Sequence, residues 1–206
     1  MEFHGRAVLV VIDVMKGELG AAGDAEEQGN GIGIMRGARE RHDRIRAIVA
    51  AAREAGVPPV FIQEVHKRSL IDFGRELDGS EPVHCLEGDP GTELAEGLEP
   101  LPDEYLIRKR RYSAFFGTEL EIVLKAHRAE MLILVGALTD VCVHYTFADA
   151  HQHDYRCRVV TDAVGGSSPE AHAGALAAMQ YLQRDALVTS DEVLAALGAR
   201  TLGAAA

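Results

Sequence analysis

The sequence of 206 residues has no tryptophan, only three cysteines and no apolar run of membrane-spanning length. The cysteines, Cys85, Cys142 and Cys157, form an odd set without a CxxC spacing, which argues against a disulfide framework or a cysteine-only zinc site. A membrane helix needs roughly 20 consecutive apolar residues. Because neither such a run nor a signal-peptide pattern occurs, we expect a cytoplasmic protein without a membrane partner.

Basic residues are few compared with acidic ones, since 21 lysines and arginines stand against 32 acidic residues and give a formal charge of -11. That sign disfavours binding to nucleic acids and to anionic membranes. We therefore expect a small-molecule partner. The hydrophobic fraction of 47% suffices for one well-buried core, so residues 1–206 are predicted to form a single domain with a frayed alanine-rich tail from about residue 198.

Apolar strand patterns alternate with helical patterns along the chain. "AVLVVIDV" at residues 7–14 is rich in valine and isoleucine, which is typical of a strand buried on both faces. Six such strands predict an α/β fold: a three-layer αβα sandwich with an open, mostly parallel, Rossmann-like sheet. The segments 17–33 and 66–94 are too long for simple connections, so we expect them to carry function or to cover a site.

Three polar residues come where predicted strands end. Asp13 ends the first strand, Lys109 ends the third, and Cys142 follows the fourth within a few residues. Ligands of open parallel sheets bind beyond the carboxyl ends of the strands, so these side chains should converge. A thiolate attacks carbonyl carbon, a carboxylate can take the thiol proton, and lysine stabilises both anions. The first helical turn around Cys142 also favours a thiolate.

Each of these residues has an ordinary alternative interpretation. A buried cysteine is usually a small hydrophobe, an aspartate after a strand is often a turn former, and a lysine among arginines is usually a solvated charge. Two further hypotheses from other classes are a non-catalytic scaffold on the same fold and a thiol redox protein that uses Cys142. The joint placement at one sheet edge favours a nucleophilic site.

The motifs resemble those of the nicotinamidase and isochorismatase-like cysteine hydrolase superfamily. They are "VVIDVMKGEL", "KRRYSAFFGTELEIVL" and "ILVGALTDVCVHYTFADAHQHDYRCRVVTDA", and the resemblance extends over most of the chain. The resemblance implies the isochorismatase-like hydrolase fold and a catalytic triad of Asp13, Lys109 and Cys142. It also implies a cis peptide between Ala137 and Leu138, and an oxyanion hole made by the backbone NH groups of Leu138 and Cys142.

The activity that the resemblance implies is acyl transfer through a thioester. Asp13 takes the proton of Cys142, the thiolate attacks an amide or ureido (carbamoyl) carbonyl, and ammonia or an amine leaves before water hydrolyses the thioester. Superfamily members that act on isochorismate lack the cysteine, so its presence implies an amidohydrolase for C–N bonds of linear amides. This chemistry requires no cofactor. The resemblance also implies a homodimer or homotetramer.

A metal site is implied by the similarity of "QEVHKRS" and "EPVHCLEGDPGTEL" to the metal-binding segments of nicotinamidases. Carried over, Glu64, His66 and His84 would hold a divalent, zinc-like ion, which gives a metal-assisted amidase as the alternative function. The sequence departs from that pattern, because Glu64 stands where the family has aspartate and the usual nearby tryptophan is absent. Tyr112 and Phe115 are candidates for the substrate pocket, with core packing as the alternative for each.

Overall fold

The computed structural model describes residues 1–19 and 32–204, in which strands and helices alternate. The strands are β1 (Ala7–Ile12), β2 (Pro59–Glu64), β3 (Tyr105–Lys109), β4 (Met131–Ala137), β5 (Arg156–Gly165) and β6 (Leu187–Val188). The α-helices are α1 (Ala38–Glu54), α2 (Leu120–Ala126), α3 (His144–Gln152), α4 (Pro169–Leu182) and α5 (Ser190–Ala204). Short 3-10 turns lie at Lys16–Leu19, Glu76–Asp78 and Pro90–Thr92, and a π-helical turn lies at Thr139–Val143.

The six described strands form one open sheet in the order β3-β2-β1-β4-β5-β6. Every neighbouring pair of these strands is parallel. Helices α1 and α5 pack on one face, whereas α2, α3 and α4 pack on the other. The predicted three-layer αβα sandwich is therefore confirmed. The strand order reverses between β1 and β4, and ligands of such sheets bind at this switch point.

The position of β1 in the middle of the sheet explains why its sequence is apolar throughout. All six of its residues are buried. Val8, Val10 and Ile12 face the core under α2 to α4, while Leu9 and Val11 face the core under α1 and α5. Burying each such side chain contributes about 1.5 to 3 kcal/mol, so both faces hold the strand rigidly in the sheet. The residues that follow β1 are therefore fixed in space.

The ends of β1 and β4 approach each other closely at Gly136. This residue pairs with Ile12 and has a φ of 121°, a conformation that glycine adopts readily. A Cβ atom on Gly136 would lie 1.9 Å from the carbonyl oxygen of Ile12. Glycine at this position allows the two strand ends to carry their following residues into one site.

The two long segments predicted around the site differ in how much of them is described. Residues 20–31 of the segment 17–33 lie outside the described residues. The segment 66–94 lies beside the carboxyl ends of β1 and β2, and Met15 bridges to Leu94 in it. Helix α5 runs to Ala204, past residue 198 where we expected the frayed tail to begin. No helix among the described residues is long and apolar enough to cross a membrane.

The close approach at Gly136 gives a stability prediction. We expect Gly136→Ala to lower the free energy of unfolding by more than about 3 kcal/mol, because its Cβ meets backbone that cannot move aside. Gly174 is the matched control, since it is exposed in α4 and a Cβ there meets nothing within 4 Å. Gly174→Ala should gain up to about 1 kcal/mol. Urea unfolding measures both, and a wild-type midpoint for Gly136→Ala would contradict the argument.

Candidate active site

Asp13 follows β1 in a conformation that aims its carboxylate across the sheet edge. Its φ is 52°, which is uncommon for a residue other than glycine and costs about 1 kcal/mol or more. The backbone NH of Glu64 donates to Asp13 Oδ1 at 2.7 Å, and Lys109 Nζ lies 2.9 Å from Oδ2. Each carboxylate oxygen is thus held by a different strand, β2 or β3.

Lys109 ends β3 and is completely buried. Its Nζ forms ion pairs with Asp13 and Glu64 and lies 3.3 Å from Cys142 Sγ. Burial by itself would lower the pKa of Lys109, but the anions around it outweigh burial and hold that pKa well above its ordinary value. Lys109 therefore remains an ammonium ion at the centre of the cluster.

Cys142 lies in the π-helical turn Thr139–Val143, directly before α3, instead of in the first turn of an α-helix as expected. The peptide bond between Ala137 and Leu138 is cis. The amide groups of Val141 and Val143 both donate to the carbonyl of Leu138, at 3.1 and 3.0 Å. This turn places Cys142 Sγ 3.5 Å from Glu64 Oε2 and beside Lys109.

The protonation states in the cluster of Asp13, Glu64, Lys109 and Cys142 follow from burial and from the presence of two carboxylates beside one lysine. Burial raises the pKa of the Cys142 thiol well above its ordinary value, and Lys109 offsets this only in part because Asp13 and Glu64 raise it further. Burial also raises the pKa of Asp13 to about 6, against the lowering effect of Lys109. At neutral pH the site therefore pairs a neutral thiol with an ionised Asp13, and the thiolate expected from the helix dipole is not the resting form.

The structure brings together Glu64, His66 and His84, which the resemblance implied as metal ligands. His84 Nε2 lies 2.8 Å and His66 Nε2 lies 3.4 Å from Glu64 Oε1. A fourth residue, Glu76, joins them, with its Oε2 3.1 Å from His66 Nε2. One ligand atom from each of the four buried residues lies within 4.8 Å of the others.

The donor set fits a divalent cation of the zinc type. Two imidazoles and two carboxylates are ligands that such ions accept. Within the described residues, neither oxygen of the buried Glu76 carboxylate makes a hydrogen bond. His84 Nδ1 donates a hydrogen bond to the carbonyl oxygen of Pro82 at 2.7 Å, so Nε2, which faces Glu64, is the nitrogen that would bind a metal. Glu64 connects this set to the thiol, because its Oε2 faces Lys109.

Two carboxylates of the segment 66–94, Glu76 and Glu81, were not found from the sequence. Neither has a spacing that relates it to a strand end or to a histidine pair, and only the path of the segment carries them to the site. Phe73 marks that path, since its ring stacks on His66 with centroids 3.9 Å apart. An apolar residue between charged ones is the weak signal that this part of the segment folds inward.

The two aromatic candidates for the substrate pocket have different positions. Tyr112 lines the cavity beside Cys142, and its hydroxyl donates to Glu81 Oε2 at 2.8 Å. Phe115 is not among the described residues that line this cavity, and its place in the substrate pocket stays a prediction. Its ring stacks on His153 with centroids 5.1 Å apart, because a tight turn from Ser113 directs it toward the end of α3.

A cavity that opens to solvent adjoins the thiol. Its empty space, including the opening, totals about 390 Å³. Its described lining comprises Asp13, Met15, Ile32, Glu64, Glu81, His84, Cys85, Tyr112, Ala137, Leu138, Val141 and Cys142. This cavity is thus lined by three residues that the resemblance implied for the triad and the oxyanion hole, namely Asp13, Leu138 and Cys142. Lys109, the remaining triad residue, lies buried behind it.

Comparison with known proteins agrees with this fold. The family model described as the isochorismatase domain matches residues 7–192. The chain belongs to the isochorismatase family. The resemblance recognised from the sequence motifs is thereby confirmed.

Relatives within the isochorismatase family include amidohydrolases. A probable inactive nicotinamidase of Arabidopsis thaliana is 31% identical over 154 residues, covering 72% of this chain and 79% of the relative. The ureidoacrylate amidohydrolase RutB of Methylobacterium radiotolerans is 28% identical, covering 82% and 71%. Further curated relatives are matched over only 56% to 62% of their own length. The crystal structure of nicotinamidase/pyrazinamidase PncA from Bacillus subtilis has a TM-score of 0.76 and 26% identity, covering 89% and 99%.

The buried ion pairs of Lys109 give a second stability prediction. We expect Lys109→Met to cost about 3 to 5 kcal/mol, because it leaves Asp13 and Glu64 buried without a cation. The control is Lys125→Met, which removes an exposed lysine paired with Glu121 on α2 at 2.6 Å and should cost about 0.3 to 0.5 kcal/mol. Chemical denaturation compares the two, and equal small losses would refute the buried cluster.

Proposed function

We propose that this protein hydrolyses a C–N bond of a small amide or ureido compound through a thioester on Cys142. The observation that carries the proposal is the meeting of the Cys142 thiol, the Lys109 ammonium and the Asp13 carboxylate at one end of a parallel sheet, next to a cavity that opens to solvent. Membership in a family with amidohydrolases among its relatives supports it.

The first half of the reaction forms the thioester. Asp13 accepts the thiol proton, and Lys109, 3.3 Å from the sulfur, stabilises the thiolate. The thiolate attacks the carbonyl carbon, and the backbone NH groups of Leu138 and Cys142 would bind the developing oxyanion. The C–N bond then breaks as Asp13 returns the proton to the leaving nitrogen. Ammonia or an amine departs, and the acyl group remains on sulfur.

The second half releases the acid and restores the thiol. Asp13, again a carboxylate, accepts a proton from water, and the resulting hydroxide attacks the thioester carbonyl. The C–S bond breaks, and the proton on Asp13 passes to the departing thiolate of Cys142. A carboxylate whose pKa is raised to about 6 suits this exchange, because it can both accept and donate a proton near neutral pH.

We infer that Glu64, His66, Glu76 and His84 hold a divalent cation beside this site. Such a cation would supply a positive charge that orients the substrate at the cavity wall. His84 and Glu64 line the cavity, so an ion in this set would be adjacent to bound substrate. Glu64 would position that ion relative to the thiol, since its other carboxylate oxygen is paired with Lys109.

A redox role for Cys142 has one supporting observation, because Cys85 lines the same cavity and both cysteines are free. Burial, however, raises the pKa of both thiols well above the ordinary value. Peroxide reacts with thiolates that are accessible, so this environment disfavours a sensor. We therefore retain hydrolysis as the proposal. A disulfide between Cys85 and Cys142 after mild peroxide treatment would favour the redox alternative.

The nucleophile is tested by ammonia release from nicotinamide, pyrazinamide, ureidoacrylate, maleamate and biuret. We expect activity on one compound class, and a loss of at least about a thousandfold in Cys142→Ala, because the variant lacks the thiol that Asp13 deprotonates and Lys109 stabilises. Asp13→Asn should show a similar loss. Cys157→Ala removes a buried thiol of β5 outside the site and should retain activity. Full activity in Cys142→Ala would overturn the mechanism, and a folded wild type inactive on every compound would favour a scaffold.

The metal set is tested by zinc binding to the purified full chain. We expect one Zn²⁺ per chain, and at least about tenfold weaker binding in Glu76→Gln, because the amide cannot replace a carboxylate ligand. Glu87→Gln is the matched control, since Glu87 belongs to the same segment but pairs with Lys67 on the surface at 2.7 Å. Chelator competition measures both affinities. Equal affinities in wild type and Glu76→Gln would remove Glu76 from the ligand set.

A further inference from the structure

Glu81 is a carboxylate of the active-site cavity that the proposed mechanism does not use. It is half-buried and lines the same cavity as Cys142. The hydroxyl of Tyr112 donates to Glu81 Oε2 at 2.8 Å. This bond fixes the direction of the side chain, so Glu81 is a positioned acceptor and not a loose surface carboxylate. Its second oxygen remains available to a bound molecule, since a carboxylate accepts more than one hydrogen bond.

The other charges around the cavity are balanced within the site. The ammonium of Lys109 is paired with Asp13. The two positive charges of a cation in the metal set would be balanced by Glu64 and Glu76. The thiol of Cys142 is neutral at rest, since burial raises its pKa. Glu81 is the remaining charged group of the cavity.

Glu81 forms no ion pair with the described residues. Among the described residues, no lysine, arginine or histidine nitrogen forms an ion pair with its carboxylate within 4.0 Å. Residues 20–31 read "GAAGDAEEQGNG", with three acidic residues and no basic ones, so this segment can add no positive charge wherever it lies. Glu81 therefore places a carboxylate without an ion-pair partner among the described residues on the wall of the cavity that Cys142 lines, and the nearest positive influence on its pKa is His84.

We propose that Glu81 selects the substrate of this site, admitting amides that present a hydrogen-bond donor or a positive charge to its carboxylate and excluding amides that carry a carboxylate there. The proposal rests on the proposed function, because it names the substrate class of the same cavity. It favours uncharged compounds such as nicotinamide over anionic ones such as ureidoacrylate. A carboxylate in this cavity would meet a like charge and would lose its hydration without a compensating partner.

The size of the effect follows from Coulomb's law. A unit charge several ångströms from Glu81, at an effective dielectric constant of about 20, changes a rate or an affinity by roughly tenfold or more. The effect depends on charge and not on shape, so it can be measured with two reagents that differ in charge alone. Iodoacetamide is neutral, iodoacetate is anionic, and both alkylate thiols by the same displacement of iodide.

The experiment compares the rates at which these two reagents alkylate Cys142 in the full chain. Peptide mass spectrometry separates Cys142 from Cys85, which lines the same cavity. Burial raises the pKa of Glu81, so the rates are measured at pH 8 to favour its carboxylate form. Taking the ratio of the two rates cancels any change in the thiolate fraction of Cys142. The ratio therefore reports the electrostatic effect of the cavity on the incoming reagent.

We expect Glu81→Gln to raise the iodoacetate to iodoacetamide ratio about tenfold, because it removes the charge and keeps the shape. Glu87→Gln, which removes a carboxylate of the same segment outside the cavity, should leave the ratio within about twofold of wild type. Tyr112→Phe removes the hydrogen bond and keeps the charge, so its ratio should also stay near that of wild type. An unchanged ratio in Glu81→Gln, or an equal rise in Glu87→Gln, would overturn the proposal.

Turnover separates this proposal from the proposed function. In an active enzyme, the ratio of kcat/KM for nicotinamide to that for ureidoacrylate should fall about tenfold in Glu81→Gln. Alkylation needs no turnover, so a shifted alkylation ratio without ammonia release from any amide supports charge selection by Glu81 and refutes the hydrolase. Ammonia release that depends on Cys142, with an unshifted alkylation ratio, supports the hydrolase and refutes selection by Glu81.

Discussion

The buried ammonium of Lys109 is the interaction on which the rest of the site depends. It pairs with Asp13 after β1 and with Glu64 at the end of β2, and it approaches the thiol of Cys142 after β4. A lysine without solvent contact is stable only where carboxylates compensate its desolvation. The two carboxylates need the lysine for the same reason. This mutual requirement fixes the ends of three strands and the π-helical turn relative to one another.

Glu64 extends this constraint to the candidate metal set. One of its oxygens belongs to the Lys109 cluster, and the other faces His66 and His84. Any ion in that set would therefore share a ligand with the cluster that holds the thiol. The glutamate that departs from the family's aspartate is long enough to serve both sides. A change in the candidate metal set must therefore alter the electrostatics around Lys109 and Cys142, and a change in that cluster must alter the electrostatics of the metal set.

The sheet and the segment 66–94 contribute different residues to the site. The sheet contributes Asp13, Lys109 and Cys142, because parallel strands place the residues at their carboxyl ends along one edge. The segment supplies Glu76, Glu81 and His84, which surround the place where substrate would bind. Residues on such loops can change without disturbing the core, so relatives with the same strand ends can act on different amides.

The sequence by itself determined the sheet and the residues at its edge. Strand β1 (Ala7–Ile12) lies within the apolar run at residues 7–14 that predicted it. Asp13 and Lys109 were found because a polar residue after a buried strand has only one edge to occupy. Only the tertiary structure decided the positions of Glu76, Glu81 and Phe115, together with the π-helical turn at Cys142. Side chains of irregular segments have no periodicity, so their directions are set by contacts with residues far away in the chain.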